Sequence, residues 1–206
     1  MKRIVLMALL ALALPLASFA TSLDFSNTGG TLTGSSSGLS LSGSNLTGVS
    51  GMGTGACSTG TPCGSLSFST GSFISTSGNV SMFNGGGSFT ITGNGTDGLP
   101  SGVIFSGTFS GTVTVTLISS SSSGEGLYAL TGSLSGTLNG HAIINPSGTS
   151  QTFLFTAGKN GWMGTGTLQS GDTTLTTSTV PEPGTLGLLG TGLVGLAGIV
   201  RKKLKA

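Results

Sequence analysis

Single apolar residues alternate with glycine, serine and threonine along most of the chain between residues 21 and 179. In residues 88–92 (SFTIT) this alternation puts the apolar side chains on one face of an extended strand. No stretch of this region sustains the 3.6-residue period of a helix, and Ala, Glu and Lys are scarce in it. The pattern therefore predicts an all-β body, with further strands at 103–117, 127–138, 151–156, 161–168 and 173–177.

Four Asn-Gly dipeptides interrupt the alternation, at Asn84-Gly85, Asn94-Gly95, Asn139-Gly140 and Asn160-Gly161. Asn and Gly tolerate the positive φ of two-residue hairpin turns, so each pair is a candidate strand reversal. We expect an antiparallel β-sandwich or barrel of about 10–12 strands. A β-solenoid is the alternative, because short strands joined by glycine-rich turns also suit stacked coils. Residues 26–65 fit either loops or edge strands.

A loose internal repeat relates residues 105–113 (FSGTFSGTV) to residues 130–138 (LTGSLSGTL). Both follow the pattern apolar-x-Gly-x-apolar-x-Gly-x-apolar. We expect these glycines to lie on the polar side of their strands and to flatten that face. A flat face favours close sheet packing, a bend or a tightly curved barrel.

Charged residues are concentrated at the two ends of the chain. Lys and Arg occupy residues 2–3 and 201–203, whereas the body contains four acids, Lys159 and one His, for a net charge of about −3. Binding to nucleic acid requires clustered basic residues on the folded part, so we expect no nucleic-acid partner.

Residues 1–20 (MKRIVLMALLALALPLASFA) have a basic start, an apolar stretch and small residues before a cleavage position. This is the pattern of a secretory signal peptide, which we expect to form a helix and to be cleaved after Ala20. The exported body is then residues 21–179.

The other end, residues 180–206, combines a Pro-Glu-Pro triplet, an apolar stretch and a basic terminus. Residues 184–200 contain no charge, and as a helix they would reach about 26 Å, slightly less than the ~30 Å hydrocarbon core of a bilayer. We expect a transmembrane helix there, with the basic residues on the cytoplasmic side.

Residues 180–206 resemble the PEP-CTERM sorting signal of exported bacterial proteins. The resemblance implies processing by a membrane exosortase near the triplet and a connection with exopolysaccharide and biofilm production. It also implies that residues 186–200 enter the membrane. The sorting-signal residues it assigns are Pro181, Glu182 and Pro183 for recognition, and Arg201, Lys202 and Lys203 as the stop signal.

Cys57 and Cys63 are the only cysteines. In an exported protein we expect them to form a local disulfide. Two cysteines and one distant His make a poor metal site, so no metal and no cofactor is expected.

The sequence contains few groups for catalysis. His141 is the only imidazole, and it follows a predicted turn, where an exposed His is the simpler interpretation. The four acids of the body, scattered along the chain, predict no carboxylate pair for glycosidase chemistry. We therefore expect that the protein is not an enzyme.

Two functions fit the remaining features. The first is a structural protein of the cell surface or matrix, associated with exopolysaccharide through its many hydroxyls. The alternative is a glycan-binding, adhesin-like module that uses Trp162 or Tyr128, although a core position is the favoured interpretation for Trp162. In both cases we expect an exported protein, anchored to the membrane at least transiently, with its body in the periplasm, on the cell surface or outside the cell.

Overall fold

The computed structural model describes residues 20–52, 57, 61–121, 125–156 and 162–178. All regular secondary structure in these ranges is β-strand, and the strand pairs are antiparallel. The prediction of an all-β antiparallel body is confirmed, and the solenoid alternative is wrong because parallel coils would pair strands in parallel. The predicted signal and transmembrane helices lie outside the described residues, except Ala20, which begins the first strand.

The described part of the chain forms twelve strands, within the predicted range. In chain order they are β1 (Ala20–Thr28), β2 (Thr31–Ser35), β3 (Gly38–Ser50), β4 (Gly64–Ser69), β5 (Phe73–Ser77), β6 (Val80–Phe83), β7 (Gly86–Asn94), β8 (Ser101–Phe109), β9 (Val113–Ser120), β10 (Glu125–Leu138), β11 (His141–Thr156) and β12 (Gly164–Ser178).

Four pairs of consecutive strands run end to end and act as single long strands. β1 and β2 both pair with β3, and β8 and β9 both pair with β10. In the same way, β4 pairs with β7 and β5 pairs with β6. On their other side, β7 pairs with β8 and β6 pairs with β9. Each long strand pairs with the next one in the chain.

The last strand returns to the first. β12 pairs with β11 on one side and with β1 and β2 on the other, so the hydrogen-bonded ring is closed. Of the two predicted architectures, this closure corresponds to the barrel. Residues Thr21–Thr177 form one compact unit. Because β1 and β12 are antiparallel neighbours, the start of β1 and the end of β12 lie at the same end of the ring.

A line of glycines crosses six of the long strands. A Cβ on Gly38 would lie 2.5 Å from the carbonyl oxygen of Gly71, and a Cβ on Gly71 would lie 2.5 Å from that of Gly85. A Cβ on Gly85 would collide with the Gly111 backbone. At these three glycines a side chain is excluded because the neighbouring backbone approaches too closely. We call this line the glycine seam: Gly38, Gly71, Gly85, Gly111, Gly132 and Gly148.

The seam coincides with the joints between strands. Gly71, Gly85 and Gly111 occupy the junctions β4–β5, β6–β7 and β8–β9. Hydrogen bonds continue across these junctions: Gly71 N–H donates to the Asn84 carbonyl at 2.9 Å, and Ser110 N–H donates to the Ser133 carbonyl at 2.9 Å. The seam thus lets each long strand bend without leaving the ring.

Aromatic rings fill the interior in two groups. On the side of the seam where β7 and β8 lie, the Phe89 ring is 5.6 Å from Phe109 and 6.0 Å from Phe105. On the other side, Phe83 is 4.8 Å from Trp162. Full burial of such a side chain stabilises the fold by roughly 1.5–3 kcal/mol, so these rings make up a large part of the core.

The glycines of the internal repeat face the core, and the prediction that they lie on the polar side is wrong. Gly107 lies opposite Gly136 between β8 and β10. Added Cβ atoms at these two glycines would lie 2.6 and 2.9 Å from the Phe105 ring. The period of two puts these glycines on the same face as the phenylalanines, where they leave room for the rings.

The Asn-Gly pairs, each predicted to reverse the chain, differ in the structure. Asn139 and Gly140, with φ of 48° and 83°, form the predicted two-residue turn between β10 and β11. Asn94-Gly95 opens a longer reversal from β7 to β8. Asn84-Gly85 is not a reversal, because β6 and β7 run end to end. Asn160-Gly161 lies outside the described residues.

The seam makes a stability prediction. Gly85→Ala places a methyl group against backbone atoms that cannot move independently, so we expect a loss of about 2 kcal/mol or more in the free energy of unfolding. Gly48→Ala is the matched control, because its Cβ would meet only the Ser26 side chain at 3.5 Å, and we expect a change within about 0.5 kcal/mol. Urea unfolding measures both. Equal stabilities for the two variants would contradict the role of the seam.

Candidate functional site

A groove of about 570 Å³ runs across the outer surface of β9, β10, β11 and β12. Its lining is dominated by hydroxyl groups and contains no aromatic side chain. We call it the hydroxyl groove: Thr112, Thr114, Thr131, Gly132, Ser133, Ser147, Gly148, Thr149, Ser150, Asp172 and Thr174.

Irregular strand pairing accompanies this depression. Gly132 and Gly148 line the groove, and the missing side chain of Gly132 is on the core side, against the Phe109 ring. The pairing register also shifts between Ser133 and Thr137 on β10 and between Ile144 and Gly148 on β11. Such irregularities bend strands and open the surface locally. The groove is therefore a consequence of the backbone.

The hydroxyls are ordered by hydrogen bonds across the strands. Thr114 Oγ1 and Thr131 Oγ1 lie 2.7 Å apart on β9 and β10. Thr149 Oγ1 and Thr173 Oγ1 lie 2.9 Å apart on β11 and β12, and both residues are buried. Because a hydroxyl carries one donor and two acceptor positions, the exposed Thr114–Thr131 pair keeps capacity for a further partner.

Beneath the groove lies a chain of buried polar side chains. Gln151 Nε2 donates to Thr149 Oγ1 at 2.7 Å and to Asn27 Oδ1 at 3.2 Å. Asn27 Nδ2 donates to Gln151 Oε1 at 2.9 Å and to Ser44 Oγ at 2.8 Å. Gly171 lies against this amide pair and leaves space for it. The network ties four strands together and fixes Thr149 in the groove wall.

Asp24 and Asp172 meet beside the groove. Thr174 Oγ1 donates to Asp24 Oδ1 at 3.2 Å, and the Asp24 carboxyl is close enough to Asp172 to act on it electrostatically. Desolvation, followed by the negative charge of Asp24 and the hydrogen bond to it, raises the pKa of Asp172 above its ordinary value. The two acids are separated by 148 residues of sequence, yet they lie on the adjacent strands β1 and β12.

Asp24 and Asp172 interact closely enough to raise the pKa of Asp172. Glycosidases place two carboxyls roughly 5–10 Å apart, with the sugar between them. His141 is exposed at the start of β11, after the Asn139-Gly140 turn. Among the described residues no group of three or more His, Cys, Asp or Glu side chains could hold a metal ion.

Cys57 and Cys63 are joined by a disulfide, with their Cα atoms 5.5 Å apart. Both are buried, and Cys63 Sγ contacts the carbonyl of Leu46 on β3. The disulfide closes part of the connection between β3 and β4, at the end of the ring where β1 begins.

Trp162 lies in the core, as the favoured interpretation expected. Its ring centroid is 4.9 Å from Phe73 and 4.8 Å from Phe83, and only 6% of the residue is exposed. Tyr128 is 7% exposed and stacks on Phe153 at 6.0 Å. Both rings line a small pocket at one end of the ring, separate from the hydroxyl groove.

The C-terminal segment is the part of the chain that matches known proteins. Residues 179–202 match the PEP-CTERM protein-sorting motif. The chain carries a PEP-CTERM sorting motif. This motif implies an exported protein that is anchored transiently and processed by an exosortase. The predicted signal residues Pro181, Glu182, Pro183, Arg201 and Lys202 fall inside the match, and Lys203 follows it directly.

No curated protein and no solved structure matches the chain significantly. Within the described ranges no helix has the length and apolar character needed to cross a membrane. The segment 184–200 lies outside those ranges.

Sequence reasoning did not find the hydroxyl groove or the Asp24–Asp172 pair. A local signal existed for the groove, since Thr112, Thr114 and Thr116 alternate with apolar residues and so share an outward face. For the carboxylates the sequence contains no such signal, because only the closure of β12 onto β1 brings them together.

The carboxyl pair makes stability depend on pH. Because the folded-state pKa of Asp172 is raised, its ionisation destabilises the fold as pH rises from the ordinary Asp value to the raised value, and the cost is fully present above that window. We expect Asp172→Asn to raise the melting temperature at neutral pH and to lose this advantage below about pH 4.

Melting curves between acidic and neutral pH measure this difference. Glu125→Gln is the control, because it removes one negative charge from the start of β10 without touching the pair. A melting-temperature difference between wild type and Asp172→Asn that did not change with pH would contradict the raised pKa of Asp172 in the folded state.

Proposed function

We propose that the protein is a non-catalytic, exopolysaccharide-associated structural protein of the cell surface or extracellular matrix. Export and exosortase processing follow from the sorting motif. In this proposal residues 184–200 hold the chain in the membrane until processing, and the β-body acts in the periplasm, on the surface or outside the cell.

The hydroxyl groove carries this proposal. Polysaccharides present dense hydroxyl groups, and a surface of paired hydroxyls can exchange hydrogen bonds with them as donor and acceptor. The groove is open and shallow, and its length along four strands suits an extended polymer. Asp24 and Asp172 add acceptors for sugar hydroxyls at one side.

A non-catalytic role is supported by the same residues. Among the residues that line the hydroxyl groove only Asp172 carries a carboxyl, whereas glycosidase chemistry uses two. Nucleophilic catalysis needs a base beside the nucleophile, and His141 stands at an exposed turn instead.

The test compares two threonine pairs in producing cells. Thr114→Val with Thr131→Val removes a facing hydroxyl pair from the groove. Thr33→Val with Thr165→Val removes another facing pair, on β2 and β12, outside the groove. At about 1 kcal/mol per hydrogen bond, we expect the groove variant to bind exopolysaccharide about ten-fold or more weakly, with the control unchanged.

The measurement is the fraction of the secreted protein that co-purifies with extracted exopolysaccharide, at equal secretion and equal melting temperature. Equal retention of both variants, or no retention of wild type, would reject the polysaccharide role of the groove.

A second candidate is a glycan-binding, adhesin-like module. One observation favours it: Trp162 and Tyr128, the only Trp and the only Tyr, line a common pocket. Their rings are packed against phenylalanines, so they would present edges and polar atoms to a ligand rather than an open stacking face.

A further inference from the structure

The pocket shared by Trp162 and Tyr128 lies at the end of the ring opposite the start of β1 and the end of β12. It holds about 160 Å³, and we call it the end pocket. The β5–β6 hairpin forms its rim. The lining of the end pocket includes Thr76, Asn79, Ser81, Leu117, Tyr128 and Trp162.

Two polar atoms of the residues that line this pocket have no hydrogen-bond partner among the described residues. Tyr128 and Trp162 are 7% and 6% exposed. No hydrogen bond joins Tyr128 Oη or Trp162 Nε1 to any residue in the described part of the chain. Buried tyrosine hydroxyls and indole N–H groups usually have a partner, and leaving one unsatisfied costs about 1–3 kcal/mol. A molecule in the pocket would satisfy both atoms.

The two rings are held in place before any ligand arrives. Trp162 packs against Phe73 and Phe83, and Tyr128 stacks on Phe153 and meets Phe155 edge-on at 5.7 Å. Their polar atoms are therefore fixed, and binding would not have to order them. Such preorganisation favours affinity in a small site.

The opposite wall is polar and uncharged. Thr76 Oγ1 and Ser81 Oγ lie 2.8 Å apart. The backbone carbonyl of Asn79 accepts from Leu117 N–H at 2.8 Å, which fixes the rim, and the Asn79 side chain is exposed beside the opening. None of the lining residues is an acid or a base at neutral pH, so the pocket suits a neutral ligand.

Size and chemistry together restrict the ligand class. The volume equals about five water molecules, and it is below the roughly 300–1,000 Å³ of pockets for drug-sized ligands. Apolar ring edges on one side and hydroxyl and amide groups on the other match a sugar ring, which has apolar C–H faces and a rim of hydroxyls.

We propose that the end pocket binds a single neutral sugar ring, such as the terminal residue of a glycan. This deepens the adhesin-like candidate and uses none of the residues of the hydroxyl groove. The sorting motif follows β12 directly, so in the body this pocket lies at the end farthest from the attachment of the tail.

The lone tryptophan allows a direct test on the full secreted protein. Trp162 fluorescence is titrated with glucose, galactose, mannose and N-acetylglucosamine, each up to millimolar concentrations. We expect a saturable change with at least one sugar. Tyr128→Phe keeps the packed ring and removes the hydroxyl, so it should weaken that binding about five-fold.

A further variant and a stability measurement separate the possible outcomes. Thr47→Val removes an exposed hydroxyl on β3 that contacts Ser26 and lies away from the pocket, and it should leave the titration unchanged. Tyr128→Phe removes an unsatisfied hydroxyl, so its melting temperature should be equal to or higher than that of the wild type. No saturable change with any of the four sugars would mean that water alone fills the pocket and would overturn the proposal. Unchanged affinity in Tyr128→Phe would overturn it as well.

The proposals for the hydroxyl groove and for the end pocket can be rejected independently of each other. The Thr114→Val and Thr131→Val variant should lose exopolysaccharide retention and keep the fluorescence titration. The Tyr128→Phe variant should show the reverse.

Discussion

The close approach of neighbouring backbones along the glycine seam is the constraint on which the rest of this structure depends. At Gly38, Gly71 and Gly85 the adjacent chain occupies the space that a Cβ would need. These glycines let the long strands bend at a shared level, and the bent strands close into a ring around the phenylalanine core. Where the line continues through Gly132 and Gly148, the pairing register of β10 and β11 shifts, and the hydroxyl groove lies over this irregular part of the sheet.

The features that the sequence predicted are local ones. Alternation in residues 88–92 and the Asn139-Gly140 turn depend on one strand or one hairpin, and both are found in the structure. The pairing of β12 with β1 and β2 joins opposite ends of the body, and no local pattern encodes it. The contact of Asp24 with Asp172 therefore could not be predicted, and neither could the seam, whose glycines look alike in a chain with 39 of them.

Ring closure also arranges the candidate sites of the body. β1 begins and β12 ends at one end, together with the disulfide between Cys57 and Cys63. The hydroxyl groove occupies the side wall, and the end pocket with Tyr128 and Trp162 lies at the opposite end. The chain therefore enters and leaves the body at one end, and the end pocket lies at the other.

Closure between β2 and β12 is the central claim, and a cross-link tests it most directly. Thr31 and Thr167 are paired across these strands and both are exposed. With Thr31→Cys and Thr167→Cys combined, the account predicts an intramolecular disulfide in the secreted protein, seen by intact mass and peptide mapping. Thr31→Cys combined with Thr108→Cys, on the distant strand β8, should not cross-link. Free thiols at both positions of the first pair, in a folded protein, would contradict the closed ring.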